Sequence, residues 1–186
     1  MDVDGLDGLD GLGLGLEYSV VRLGPVDPRW VVAGAQLADG LNATLGELAV
    51  AVEHIGSTAV PEVLAKPILD FAVGVTAGAD VARITKILLQ SGWLYRGDAG
   101  DDGGLVFVFE VAPRVRAAHL HVVEHDGLQW QRYLALRDLL RANPTSRARY
   151  EAAKVELASR FVGDDARSLY TSGKGSVIHD LLDSDG

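Results

Sequence analysis

Three short stretches carry residue types that could do chemistry. The first is Gly56-Ser57-Thr58, which follows the mostly apolar, β-branched run Val50 to Ile55. Glycine permits a tight turn and a close approach of backbone to a ligand. Ser57 is placed to cap the turn that follows, so that Gly56, Ser57 and Thr58 would offer donors to a phosphate. The second stretch is Lys66-Pro67-Ile68-Leu69-Asp70. Asp70 interrupts the apolar run Ile68 to Val75, where a carboxylate must be paired, solvated at the strand end or engaged with a metal. The Lys66 ammonium has the reach to meet a ligand or Asp70. The third is His119-Leu120-His121-Val122-Val123-Glu124. On a strand, His119 and His121 share one face, and Leu120, Val122 and Glu124 the other. Two imidazoles so spaced can contact phosphate or hold a metal, and a zinc site would need a third ligand. Lys174, in Gly173-Lys174-Gly175, is a further candidate phosphate contact. It is not part of a P-loop, since Ser168 stands at the first glycine of that pattern and Gly175 replaces its hydroxyl residue.

The elements that must position these residues follow from periodicity and punctuation. Val50 to Ile55 and Ile68 to Val75 read as strands flanking the Gly-Ser turn and a short helix. Before them, Glu17 to Gly24 is strand or extended. Asp27 caps and Pro28 opens a helix from Arg29 to about Leu45, in which Gly34 and Gly40 invite a break. Asp80 caps a helix from Val81 to Gln90. Short strands are expected at 93–95, 105–111 and 117–124. Gly97 to Gly104 reads as a solvated hairpin loop, and Pro113 to Arg116 as a turn carrying two cations. From Leu128 the chain is helical, ending first at Asn143-Pro144. Thr145 caps the next helix, Asp164-Asp165 the last, and Gly173-Lys174-Gly175 interrupts that one.

The wording of the first two stretches resembles a known family. His54-Ile55-Gly56-Ser57-Thr58-Ala59-Val60-Pro61 with Lys66-Pro67-Ile68-Leu69-Asp70 is similar to the GrpB family, a branch of the nucleotidyltransferase (polymerase-β-like) superfamily. The His-Leu-His-Val strand, Tyr133-Leu-Ala-Leu-Arg-Asp, Ala142-Asn-Pro, Tyr150-Glu-Ala-Ala-Lys154 and Tyr170-Thr-Ser-Gly-Lys174 extend the likeness over roughly residues 18 to 182. The resemblance implies an α/β fold: a nucleotidyltransferase-like small mixed sheet of four to five strands covered by helices on one face, with a C-terminal helical lobe. It implies phosphate or nucleotide contacts at Gly56, Ser57, Thr58, Lys66 and Lys174, and a divalent metal, Mg²⁺, at Asp70. Two positions depart from the pattern. Glu62 follows Pro61 where relatives carry glycine, and Ala72 stands where a second strand acid is expected. One acid cannot build a two-metal clamp, so further ligands would come from His119, His121, Glu124 or Glu110. Catalysis would then rest on Asp70, His119 and His121. Three readings stay open: nucleotidyl transfer to a small acceptor, another metal-dependent reaction on the same scaffold, and nucleotide binding without turnover.

Composition narrows the classes. The 186 residues suit one domain, 17–186, behind a Gly/Asp/Leu-rich tail, 1–16, in which Asp-Gly-Leu recurs and glycine disfavours regular structure. There is no cysteine, which excludes disulfides, thiolate metal sites and cysteine nucleophiles. With 26 acids against 17 lysines and arginines, the net charge of −9 argues against broad nucleic-acid binding. No signal peptide and no membrane-length apolar run is evident, so a cytoplasmic protein acting on a small-molecule or nucleotide partner is expected. Oligomeric state is left open.

Overall fold

The chain opens with two two-residue strands, β1 (Leu16–Glu17) and β2 (Gly24–Pro25), and the helix α1 (Pro28–Leu45). Then come β3 (Ala51–Ile55), β4 (Leu64–Ala65), β5 (Leu69–Val75), α2 (Val81–Gln90), β6 (Leu94–Asp98), β7 (Leu105–Ala112) and β8 (Val115–Glu124). Three helices finish it: α3 (Leu128–Ala142), α4 (Pro144–Arg160) and α5 (Ala166–Asp185). These elements come from a computed structural model that describes residues 9, 11–98, 104–160 and 166–185. The centre of the predicted 97–104 loop, the Asp164-Asp165 cap and most of the predicted tail lie outside the described residues.

The main sheet runs β3-β5-β8-β7-β6, with β1 paired to the start of β8. Among the described strands only β5 and β8 run parallel, and the helix α2 and the β6–β7 hairpin supply the long connection that such a pair needs. The other ladders are antiparallel. The sheet is therefore mixed, as expected, but has six strands rather than four to five. The extra one, β1, is too short to announce itself by alternation.

Alternation along β5 sorts the two faces. Leu69, Phe71, Val73 and Val75 join Leu120 and Val122 of β8 against Leu37, Leu41 and Leu45 of α1 and Ile84 and Leu88 of α2. The opposite face carries Asp70 and Ala72 of β5 and His119, His121 and Val123 of β8. Ile55, Ala72, Val123 and Trp130 form a small apolar cluster there. Helices α3, α4 and α5 close over this face around Val60, Leu136, Leu140, Tyr150 and Leu181.

Several local expectations hold for the stated reasons. Asp27 accepts from the Arg29 N–H at 2.9 Å, and Pro28 opens α1. Asp80 caps α2 through the Arg83 N–H at 3.0 Å. Others are corrected. The predicted tail is too long at its C-terminal end: Leu9 is buried, Leu12 and Leu14 pack on the core, and Leu16 pairs in β1. The leucines of the Gly-Leu alternation supply that burial, and the Leu12 carbonyl accepts from Trp30 Nε1 at 2.8 Å. Helix α1 runs unbroken through Gly34 and Gly40. Asn143, not Thr145, caps α4, accepting from the N–H groups of Thr145 and Ser146. Helix α5 continues through Gly173-Lys174-Gly175. Arg116, read in sequence as part of the Pro113 to Arg116 turn, lies in β8 and is buried. Among the described residues no helix is long and apolar enough to cross a membrane.

Candidate anion site at the Gly-Ser turn

Strand β3 delivers the chain to Gly56, whose φ of 69° lies in the region that glycine adopts without penalty. A Cβ at Gly56 would stand 2.7 Å from Asp70 Oδ2, so the glycine also makes room for the carboxylate. A single 3₁₀ turn, Ser57–Ala59, follows, and the N–H groups of Ala59 and Val60 are committed to Gly56 O and Ser57 O. Ser57 does not cap this turn with its side chain. Its Oγ instead accepts from Lys154 Nζ at 3.1 Å and lies 3.5 Å from the Tyr150 hydroxyl. Thr58 is an anchor: its buried hydroxyl donates to the Ile68 carbonyl at 3.3 Å and meets His54 Nε2 at 3.1 Å. Burial holds the His54 ring at a pKa of about 4, against the pull of Asp70 and helped by Arg141 and Arg137. With the Thr58 proton given to the Ile68 carbonyl, the His54–Thr58 bond is made by the tautomer of neutral His54 that carries its proton on Nε2.

Helix α3 fixes the same turn from outside. Arg141 gives two hydrogen bonds to the Ala59 carbonyl, at 3.0 and 2.9 Å. Arg137 binds Glu53 Oε2 at 2.6 Å and the His54 carbonyl at 3.3 Å. Glu62 keeps the left-handed backbone that a glycine would adopt, with φ of 61°, and its carboxylate points to Arg147 at 3.2 Å.

The parallel register sets Asp70 beside His119 and Ala72 beside His121. Asp70 Oδ1 accepts from His119 Nδ1 at 3.0 Å. Burial pushes the Asp70 carboxyl up, but the hydrogen bond and charge of His119, with Lys174 and His121, hold it well below the usual carboxylate range. The other ring nitrogen of His119 lies 3.5 Å from Arg116 Nη1. His121 stacks at 5.2 Å on Tyr133, and its Nδ1 is buried with no hydrogen-bond partner among the described residues. Burial holds His121 at a pKa of about 4, against Asp70 and with His119 and Lys174 adding.

The remaining metal-ligand candidates do not join this group. Glu124 is exposed at the end of β8, opposite Val75 and outside the cavity. Alternation turns it away from the histidines. Glu110 of β7 is committed to the Tyr18 hydroxyl at 2.6 Å and to Arg96 at 3.1 Å and does not line the cavity. Ala72 is fully buried among apolar side chains, so no second acid is available beside Asp70. Among the described residues no group of three or more His, Asp or Glu side chains is placed to hold a metal ion.

What the fold does assemble is a cavity of about 670 Å³ between the sheet face and the C-terminal helices. Gly56, Ser57, Thr58, Lys66, Asp70, His119, His121 and Lys174 all line it, so every predicted residue except Glu124 and Glu110 is brought together. Three cations join them that the sequence did not single out: Lys154, Arg96 and Arg116. Lys154 is 2% exposed, its Nζ also donates to the Leu64 carbonyl, and it lies 4.4 Å from the Tyr150 ring centroid. Burial first, then Lys174 and Lys66, lower its pKa to about 7 against Glu151. Lys174 is held above the ordinary lysine range by Tyr150, against burial, with Asp70 and Tyr170 adding. Lys66 sits 3.8 Å over the Tyr170 ring. In sequence Lys154 stands out only as the end of Tyr150-Glu-Ala-Ala-Lys154, a piece of the family likeness, with nothing to mark it as buried.

A family model described as GrpB protein matches residues 20–184. The chain belongs to the GrpB family. Among its relatives is the glutamate-rich protein GrpB of Alkalihalophilus pseudofirmus, 33% identical over 145 residues, which cover 76% of this chain and 82% of that protein. A UPF0157 protein of Pseudomonas aeruginosa is 34% identical over 160 residues, covering 85% of this chain but 64% of that longer relative. The crystal structure of the conserved protein GrpB from Enterococcus faecalis superposes with a TM-score of 0.73 at 31% identity, covering 88% of this chain and 98% of that one.

Proposed function

We propose that this GrpB-family protein binds a small phosphate-bearing molecule, of the nucleotide class or its chemical relatives, in the cavity at the Gly-Ser turn. The observation that carries the reading is charge. Lys66, Arg116, Lys154 and Lys174, with Arg96 ion-paired to Glu110, line the cavity, and Asp70 is the sole carboxylate among its described lining residues, in a chain whose net charge is −9. Cations gathered in a recessed site of an acidic protein focus field onto an anionic ligand. Apolar side chains at Leu23, Val106, Val108, Leu136 and Ile178 suit the uncharged body of such a ligand.

A protein-held divalent metal does not fit the donor set. Mg²⁺ held by protein groups alone would need a set of oxygen ligands, and the described lining offers one carboxylate, already accepting from His119, among five cations. The cations themselves are therefore assigned the role that the family resemblance gave to Mg²⁺. This favours phosphate binding over nucleotidyl transfer through paired metal ions.

Calorimetric titration with inorganic tripolyphosphate and with ATP, each in EDTA and in Mg²⁺, tests the reading. Saturable binding is expected in EDTA. Lys174→Ala should weaken it at least about tenfold, the size of a lost charged hydrogen bond. Failure of both ligands to bind in either condition would sink the proposal.

A further inference from the structure

Lys154 is a buried cation of the site that grips the hydroxyl of the Gly-Ser turn itself. Its Nζ lies 3.1 Å from Ser57 Oγ, and the Leu64 carbonyl accepts another of its protons. Among the described residues no carboxylate lies within ion-pair distance of it. The Tyr150 hydroxyl, 3.5 Å from Ser57 Oγ, approaches the same oxygen. Ser57 itself lines the cavity, with Lys66 and Lys174 in its wall. A serine beside a desolvated lysine, with other cations near, is the arrangement by which a weak hydroxyl becomes a nucleophile.

We propose that Ser57 is a nucleophile and Lys154 its general base. The substrate class rests on the anion reading above: a phosphoric anhydride. Ser57 Oγ attacks phosphorus, so that an Oγ–P bond forms and the P–O bond to the leaving phosphate breaks. The hydroxyl proton passes to the neutral Lys154 amine, and the leaving group departs as an anion. Lys66 and Lys174 offset the charge that develops. In its neutral form Lys154 keeps an N–H on the Leu64 carbonyl and turns its lone pair to Ser57, which fixes the direction of proton transfer. The charged groups that act on Lys154 are Glu151 of its own helix, Lys174 of α5 and Lys66 of the loop before β5, with the Tyr150 ring packed against it.

The test uses phenylmethanesulfonyl fluoride on the full chain, because this reagent reports the nucleophile without needing the natural ligand. Ser57 Oγ bonds to sulfur, fluoride leaves, and the proton goes to Lys154. Peptide mass spectrometry should locate the sulfonyl group on Ser57 and find none there in Ser57→Ala. Lys154→Arg, which keeps the charge but cannot take up a proton, should slow labelling about 100-fold, the lower end of general-base effects. The wild-type rate should rise with a single pKa of about 7 and level off. That profile decides the matter should Lys154→Arg not fold. No label on Ser57, an unchanged rate in Lys154→Arg, or a rate that climbs with hydroxide and never levels would overturn the proposal. Tripolyphosphate should protect Ser57. Labelling that depends on Lys154 without protection would uphold the nucleophile and count against the anion reading, while phosphate binding without labelling would do the reverse.

Discussion

At the scale of single residues, Asp70 changes meaning once its neighbours are known. In sequence it is half of an acidic pair, and Ala72 is a gap to be filled by histidines. In the structure one of those histidines is bonded to Asp70 Oδ1, and the carboxylate is surrounded by Lys174 and imidazoles. This gives opposite expectations for one substitution. A metal-holding Asp70 would make Asp70→Asn lose phosphate binding. As the only carboxylate lining a cationic cavity, it instead opposes a polyanion. Asp70→Asn should therefore bind tripolyphosphate in EDTA about fivefold more tightly, the effect of removing about 1 kcal/mol of repulsion in a partly solvated site. Titration calorimetry reads this directly, and weaker binding would contradict the assignment. Glu62 shows the limit of residue-level reading in the other direction. Glu62 stands where relatives carry glycine, yet it keeps the left-handed backbone that a glycine adopts freely.

At the scale of elements, the contact of α1 with β3 decides how well the Gly-Ser turn is held. The sequence presents Gly34 and Gly40 as equal weaknesses in one helix. Packing separates them. A Cβ at Gly34 would stand 2.2 Å from His54 Nδ1, whereas one at Gly40 would meet nothing within 4 Å. Gly34→Ala should therefore destabilise the fold by about 1–3 kcal/mol through overpacking, in spite of its better helix propensity. Gly40→Ala should stabilise by about 0.5–1 kcal/mol. Urea unfolding of the pair distinguishes packing from propensity. Since His54 holds Thr58, Gly34→Ala should also loosen the anion site, and a variant as stable as Gly40→Ala would refute the packing argument.

At the scale of the molecule, burying bases inside an acidic protein makes stability depend on pH. Burial holds both His54 and His121 at pKa values of about 4, below the ordinary 6.5. Between those values the unfolded chain binds more protons than the folded one, so stability is intact above pH 6.5 and falls as pH drops toward 4. Each ring contributes up to about 2–3 kcal/mol to that loss. Lys154 acts in a higher window. Its pKa is about 7 when folded against 10.5, so stability should rise with pH from about 7 toward 10.5. Lys174 is shifted upward instead, so its contribution is constant below 10.5 and does not disturb that window. Melting temperatures from pH 4 to 9 test both limbs, and Lys154→Met should flatten the upper one.

The sequence by itself determined the parts whose signals are local. Alternation located β3, β5, β7 and β8. The Asp27-Pro28 and Asp80 caps located α1 and α2. The Gly-Ser turn, Asp70 and the paired histidines carried the family resemblance. Tertiary structure alone decided which of these residues meet and in what company. The parallel β5–β8 register brought Asp70 to His119, and strand alternation sent Glu124 away. Folding α4 and α5 over the sheet buried Lys154 against Ser57 and set Lys174 in the same cavity. A lysine on an amphipathic helix reads as solvated until a second element covers it, because burial and proximity across 97 residues leave no local mark in the chain. For that reason the Gly-Ser turn could be found from sequence, while the cationic company that defines its chemistry could not.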